Sequence, residues 1–175
     1  MIKKVLKYVG ITLAILAGLP LIVAPLSYHF KVAGVGDNEA IGLFTDLESR
    51  DWTIKDFNPF WINAIRVLVI AALVVGVVML VIALLNDLKV LKLQGLEKIL
   101  AVVLMVIGFA ALVTVIVNQF ANSSYETVEV LGESVATGAG LTANVMGWLS
   151  PVFALVGAGL AFVTVETKKK SKKRK

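Results

Sequence analysis

The stretch from Val67 to Leu85 reads VLVIAALVVGVVMLVIALL and decides the fold class, because it contains no polar or charged side chain. A helix rises 1.5 Å per residue, so about 20 apolar residues cross the ~30 Å hydrocarbon core of a bilayer. Asn58 and Pro59 provide a helix start, since Asn is a good cap and Pro is tolerated at the first helical position. We therefore expect a membrane helix over residues 59–86.

Three other apolar segments predict further membrane helices, over residues 5–26, 99–120 and 142–165. The chain of 175 residues is 58% hydrophobic, and its mean hydropathy is +0.89. Such a composition is typical of polytopic helical membrane proteins. We expect an all-α integral membrane protein in which residues 1–166 form one four-helix bundle and residues 167–175 form a basic tail.

The first segment has two readings, a signal peptide or a retained helix. Ala24 is the best small residue for cleavage, but Pro25 follows it and disfavours cleavage there, so we expect a retained helix. Pro20 and Pro25 each remove a backbone donor and clash with the preceding turn. An early end or a kink near Leu19 is therefore predicted.

The placement of charge predicts the orientation. Lysines occupy the N-terminal end, the connector between the second and third helices, and the tail. The two remaining loops, residues 27–58 and 121–141, carry the acidic residues Asp37, Glu39, Asp46, Glu48, Asp51, Asp56, Glu126, Glu129 and Glu133. Because Lys and Arg near helix ends mark the cytoplasmic side, we expect both termini in the cytoplasm and both acidic loops outside.

Each outer loop carries a pattern that indicates a short helix. Residues 38–49 place Ala40, Leu43, Phe44 and Leu47 on one helical face. In the second loop, Ser123 and Glu126 have the spacing of a capping box. Short extracytoplasmic helices are therefore predicted, with a weak alternation over residues 28–32 that favours a short strand.

The first outer loop is the candidate interaction site. Its residues with this assignment are Gly42, Leu43, Phe44, Leu47, Trp52 and Trp61. The chain has no cysteine, so the loop has to be ordered by packing on the bilayer or on another protein. The absence of a disulfide also favours a bacterial or archaeal cytoplasmic membrane over a eukaryotic surface.

Small residues are candidates for close helix packing. These residues are Gly10, Ala14, Gly18, Gly157 and Gly159. The first three are four residues apart and share one helical face, which would admit a neighbouring helix. The alternative is that Gly and Ala are simply common in membrane helices.

The tail is the candidate lipid-binding segment. Its basic residues are Lys168, Lys169, Lys170, Lys172, Lys173, Arg174 and Lys175. Such clusters beside a membrane helix bind anionic lipids at about 1 kcal/mol per charge, and they also fix orientation. No aromatic residue interleaves these charges, so no nucleic-acid partner is expected.

Few side chains offer chemistry. His29 is the only histidine, and no cysteine or second histidine completes a catalytic or metal site. We therefore expect no enzyme, metal or cofactor. Arg66 lies about two turns inside the second helix, where it either reaches the outer headgroups or pairs with an acid such as Asp56.

The layout resembles the claudin-like tetraspan superfamily, which has four helices, cytoplasmic ends and a long first outer loop. Gly42-Leu43-Phe44 is similar to the Gly-Leu-Trp triplet of that family. This chain lacks the family's pair of loop cysteines, and its tryptophans Trp52 and Trp61 follow the triplet. The resemblance implies an architecture, which by itself does not assign a function.

The leading hypothesis is a non-enzymatic membrane component that presents its first outer loop as a scaffold, accessory subunit or adhesion partner. Its expected partners are anionic lipids at the cytoplasmic face and either another membrane protein or a second copy. The alternative is an oligomeric, holin-like pore assembled through small-residue faces. A small transporter is disfavoured, because coupled transport needs ionisable residues inside the membrane and the predicted helix cores lack them.

Overall fold

The computed structural model describes residues 2–32, 35–44, 59–90, 92–130 and 133–165. These residues form four α-helices and four β-strands. In chain order they are α1 Ile2–Leu16, β1 Leu26–Val32, β2 Val35–Ile41, α2 Pro59–Asp87, α3 Gln94–Ala121, β3 Ser123–Val130, β4 Glu133–Ala143 and α4 Val145–Thr164.

Among the described residues, four helical segments are long and apolar enough to cross a membrane, so the predicted number of membrane-length helices is confirmed. The first α-helix stops at Leu16 rather than residue 26, and a 3-10 turn over Leu19–Leu21 follows with Pro20 in it. Proline cannot supply the backbone donor that a continuing helix needs. The early end predicted near Leu19 is thus present.

The other helices differ from prediction only at their ends. The third begins at Gln94 rather than residue 99. The fourth begins at Val145 rather than residue 142, because Asn144 caps it: its side-chain oxygen accepts from the backbone N–H groups of Met146 and Gly147 at 2.9 and 3.3 Å.

The prediction of an all-α protein with short helices in the outer loops is wrong for the described residues. Both loops contribute strands to one antiparallel sheet of order β2-β1-β4-β3. Residues 38–41, placed in the predicted helix 38–49, belong to β2, and residues 45–49 lie outside the described part. The predicted capping box at Ser123 lies in β3 instead. The short strand predicted over residues 28–32 is present within β1.

The register explains which face of the sheet is apolar. Leu26 lies opposite Ile41 on one side and Ala143 on the other, and Tyr28 lies opposite Leu141. Because side chains alternate between faces along a strand, these residues share one face. Leu26, Ile41, Leu141 and Ala143 are all buried.

Unequal helix lengths make room for the sheet. The second and third helices have 29 and 28 residues, whereas the first and fourth have 15 and 20. At 1.5 Å per residue the longer pair exceeds the shorter pair by roughly 12–21 Å. Gly18 faces Leu73, so the excess lies between Pro59 and about Leu73. We call this end of the bundle the sheet end.

The sheet is fixed to this extra length by one apolar cluster. It contains Ile62, Ile65 and Val69, which recur on one face of α2, and Val115 of α3. The buried sheet residues and Leu43 complete it.

We call the opposite end, with the N-terminus, the α2–α3 connection and the C-terminal end of α4, the connector end.

Candidate functional site

The Gly42-Leu43-Phe44 triplet follows directly after β2 and divides between core and surface. Leu43 is only 1% exposed and belongs to the apolar cluster under the sheet. Phe44, the next residue, is 63% exposed. Gly42 is half-buried between Ile41 and Leu43. Leu43 therefore anchors this part of the loop in the apolar cluster, and Phe44 is exposed at the surface.

Arg66 of α2 holds the triplet in place. Its Nε donates a hydrogen bond to the backbone carbonyl of Leu43, and its Nη1 donates to Asn63 Oδ1 at 2.8 Å. Its guanidinium carbon also lies 5.9 Å from the centroid of the Phe44 ring, within cation–π range. Asp56, the ion-pair partner considered for Arg66, lies outside the described residues. The guanidinium is thus directed to the backbone that follows β2.

The other candidate interaction residues are partly described. Trp61 is half-buried, and its ring meets that of Phe60 edge to face, with centroids 5.0 Å apart and an interplanar angle of 82°. Phe60 is 62% exposed. Leu47 and Trp52 lie outside the described residues. Phe44 and Phe60 are therefore two of the exposed aromatic rings of the described sheet end, together with Phe120 near the end of α3, which is 79% exposed.

Polar side chains join the sheet to the helix ends. Asn118, 0% exposed, donates from Nδ2 to the carbonyl of Leu141 at 3.0 Å, and its Oδ1 accepts from Asn122 at 2.7 Å. Across the sheet, Asn144 Nδ2 donates to the carbonyl of Ala24 at 2.8 Å. Burying amide groups costs free energy unless they are hydrogen-bonded, so these contacts fix the angle between sheet and bundle.

A second polar site lies at the connector end. Lys7 is 8% exposed, and its Nζ lies 3.1 Å from Asp87 Oδ1 and 3.8 Å from Glu97 Oε1. Tyr8 donates its hydroxyl to Asp87 Oδ2 at 2.8 Å, and Lys4 Nζ lies 3.1 Å from the same oxygen. The first three helices are thus tied together by charge.

Asn86 completes this network. Its Nδ2 donates to Glu97 Oε1, and its Oδ1 accepts from the backbone N–H of Leu93 at 2.6 Å. Glu97 is 3% exposed, so its carboxylate depends on Asn86 and Lys7 to replace water. From the sequence, Lys7 is interpreted only as an orientation charge, and this network is not predicted. The available signal was a pair of acids, Asp87 and Glu97, at the ends of two apolar helices.

The predicted packing residues lie mainly between helices of the same chain. A Cβ on Gly157 would lie 2.5 Å from the carbonyl oxygen of Gly10, and one on Gly10 would lie 2.8 Å from that of Gly157. The backbone of Ala14 lies against Gly157 of α4 and also against Gly76 of α2. Gly18 packs on Leu73 of α2. Gly159 differs, because a Cβ there would meet no atom within 4 Å.

The remaining candidates offer little chemistry. His29 lies in β1 opposite Asn38 and Gly140. Across the described residues, no group of three or more His, Asp or Glu side chains is placed to hold a metal ion. The basic tail, Lys168 to Lys175, lies outside the described part of the chain. The chain matches no family model and no curated protein. The claudin-like resemblance therefore stays a prediction.

Proposed function

We propose that the chain is a multi-pass membrane protein whose sheet end faces away from the cytoplasm and contacts another membrane protein. The proposal is carried by the contrast within the triplet. Leu43 is buried and Arg66 binds its carbonyl, whereas Phe44 is exposed. Leu43 and Arg66 together fix the position of one exposed ring, that of Phe44. A ring that is exposed yet fixed in position favours a contact surface. Exposed aromatic residues are enriched at protein interfaces.

The orientation rests on charge. The connector end carries Lys3, Lys4, Lys89 and Lys92, and α4 ends there. The strands of the sheet end carry Glu39, Glu129 and other acids. By the positive-inside rule the connector end is cytoplasmic. Together with the absence of cysteines, this supports a bacterial or archaeal cytoplasmic membrane.

Labelling of single cysteines tests the orientation. The chain has no cysteine, so Glu133→Cys at the sheet end and Lys92→Cys at the connector end each report one side, and both positions are exposed. A membrane-impermeant maleimide applied to intact cells is expected to label Glu133→Cys alone. Lys92→Cys should react only after permeabilisation. The reverse pattern would refute the proposed orientation.

Co-purification tests the contact function. After extraction in mild detergent, the wild-type chain is expected to carry along a different membrane protein in constant ratio. Phe44→Ser should reduce that recovery, whereas Ile99→Ser, an exposed position near the connector end, should leave it unchanged. Recovery of the protein alone in repeated preparations would contradict the proposal.

The pore alternative gains no support from the packing. It needs a small-residue face that is open to a second copy, yet Gly10, Gly18 and Gly157 already meet neighbouring helices of their own chain. For transport, the described charged network of Lys7, Asp87 and Glu97 lies at the connector end rather than midway through the bundle. We therefore put forward one function only.

A further inference from the structure

The strand β3 forms one edge of the sheet. In the order β2-β1-β4-β3, each edge strand pairs on one side, and within the described residues no strand lies beyond β3. Its eight residues pair with β4 without interruption, from Ser123 opposite Gly140 to Val130 opposite Glu133. The strand contains neither a proline nor a bulge, two of the devices that usually protect an edge from pairing.

The hydrogen bonds of the backbone indicate which residues of β3 point outward. The carbonyl of Asn122 accepts from the N–H of Leu141 with an N···O distance of 2.7 Å, so this pair bonds toward β4. In an antiparallel pair, hydrogen-bonded and non-hydrogen-bonded residues alternate along each strand. With the register of β3 on β4, this alternation directs the N–H and C=O groups of every second residue away from β4. These residues are Ser123, Tyr125, Thr127 and Glu129.

The third helix fixes one end of this edge. Asn118 Oδ1 accepts from Asn122, and Asn118 Nδ2 donates to the carbonyl of Leu141 in β4 at 3.0 Å. Both asparagines are buried, and β3 starts directly after them at Ser123. The first residues of the edge are therefore held in place before a partner binds, which lowers the entropic cost of adding a strand.

The edge carries an excess of negative charge. The β3–β4 hairpin contains Glu126, Glu129 and Glu133, and residues 121–144 include no basic side chain. Glu129 and Glu133 are exposed. Lys31, the one lysine among the four strands, lies on β1 and offsets at most one of the three glutamates. The hairpin therefore stays acidic.

This charge distinguishes between two kinds of added strand. A second copy that paired through the same edge would bring two acidic hairpins together, and like charges on paired strands are destabilising. Repulsion of this kind protects an edge from pairing with its own copy. A strand with lysine or arginine at the facing positions would instead form opposite-charge pairs with the glutamates.

We propose that β3 binds an extended, basic segment of another protein as a fifth strand of the sheet. The outward backbone groups supply the affinity, and Glu126 and Glu129 favour lysine or arginine opposite them. The inference rests on the proposed contact function and deepens it by naming the kind of segment that the partner contributes. It uses the opposite edge of the sheet from β2, the strand that precedes Phe44.

Fluorescence anisotropy of the full chain in neutral detergent tests this edge, with a labelled peptide of eight residues, the length of β3. The peptide consists of valine and threonine, with lysine opposite Glu126 and Glu129 in the antiparallel register. We expect saturable binding, and a peptide with glutamate in place of both lysines should bind about tenfold more weakly. N-methylation of the peptide residues that face Tyr125 and Thr127 should abolish binding, whereas N-methylation of the intervening residues should not.

Two proline variants provide a matched control. Thr127→Pro removes an N–H that points away from β4, and Asn38→Pro removes, by the same alternation, one that points away from β1 at the other edge. Proline is tolerated at such outward positions of edge strands, so both variants should keep the wild-type circular dichroism spectrum. Only Thr127→Pro should lose the lysine peptide. The N-methylated peptides test the wild-type chain itself and do not depend on the folding of a variant.

Three results would overturn the proposal: no binding of the lysine peptide, equal binding of the lysine and glutamate peptides, or equal effects of Thr127→Pro and Asn38→Pro. Adsorption of the peptide to the detergent micelle would persist in Thr127→Pro and would also overturn it. The assay does not involve Phe44, so a negative result leaves the co-purification test of the contact function unaffected. Conversely, recovery of the protein without a partner would leave the peptide result unchanged.

Discussion

The guanidinium of Arg66 donates to the backbone carbonyl of Leu43, 23 residues earlier in the chain. This bond joins the second helix to the end of β2, directly after the strand. Both sides of the contact are supported, since Leu43 is buried in the cluster under the sheet and Asn63 accepts a second bond from Arg66 at 2.8 Å. The position of the exposed Phe44 ring therefore depends on a helix residue rather than on the loop alone.

Replacing Arg66 with Met should destabilise the sheet end. Hydrogen bonds made by charged groups contribute about 1.5–3 kcal/mol each, and Arg66→Met removes the bond to Leu43. We expect a loss of about 2 kcal/mol, measured by thermal unfolding in detergent. Asn63→Ala is the control, because it removes only the exposed bond and should cost less than about 1 kcal/mol. Equal losses for the two variants would contradict this role of Arg66.

Truncation should destabilise the protein at Leu43 but hardly at Phe44. Leu43→Ala leaves a cavity at a position that is 1% exposed, so we expect a loss of about 2–5 kcal/mol in unfolding free energy. Phe44→Ala removes a ring that is 63% exposed, so stability should change by only about 0.5 kcal/mol. Unfolding in detergent measures both. A large stability loss for Phe44→Ala would show that its ring serves packing rather than contact.

Gly157 and Gly159 provide a matched pair for helix packing. Gly157→Ala places a Cβ 2.5 Å from the carbonyl oxygen of Gly10, and overpacking of this kind costs about 1–3 kcal/mol. Gly159→Ala meets no atom within 4 Å and should be neutral or stabilising by up to about 1 kcal/mol through helix propensity. If both changes were neutral when unfolding is followed by circular dichroism, the close approach of α1 and α4 would be refuted.

Lys7 should be the residue on which the connector-end network depends most. Lys7→Met leaves Glu97 without its cation in a site where only 4% of the Glu97 side chain is exposed, and removing one partner of a buried pair costs about 3–5 kcal/mol. The double variant Lys7→Met/Glu97→Gln should recover part of that loss, since no uncompensated charge remains.

The control for this network is Lys89→Gln. Lys89 is exposed at the same end, and a surface change of this kind should shift stability by less than about 0.5 kcal/mol. Additive effects of Lys7→Met and Glu97→Gln would indicate that the two side chains are not coupled.

The sequence predicts the helices well because their signals are local. An uninterrupted apolar run and the Asn58-Pro59 start predict residues 59–86, and the helix found is Pro59–Asp87. Pro20 likewise predicts the early end of the first helix. The fourth helix begins three residues later than predicted, because Thr142 and Ala143 belong to β4. The pairing of these residues within the sheet cannot be inferred from periodicity within the helix.

The sheet could not be predicted from local pattern. Its central pair joins β1 to β4, with Leu26 opposite Ala143, more than a hundred residues away along the chain. Strand formation depends on such neighbours more than on intrinsic preference. The helical spacing of Ala40 and Leu43 was therefore misleading, whereas the alternation of Ile41 and Leu43, both buried, follows the strand period.

The triplet stays a predicted interaction site. The contrast between the buried Leu43 and the exposed Phe44 does not follow from the sequence, because it depends on packing under the sheet and on Arg66, which the sequence places near headgroups or beside Asp56. The Lys7 network was missed because its members come from three helices and converge only in the folded bundle. Positive charges near helix ends indicate the orientation in the membrane. That interpretation does not predict that Lys7 is only 8% exposed.

Photo-crosslinking from position 44 in intact cells tests the central claim most directly. A photoreactive phenylalanine analogue at Phe44 should give one discrete adduct with another membrane protein, and the adduct should disappear when Arg66→Met releases the triplet. The same analogue at Phe109, an exposed position on α3, should not give that adduct. An identical adduct from Phe109, or no protein adduct from Phe44, would contradict the account of the sheet end as a contact surface.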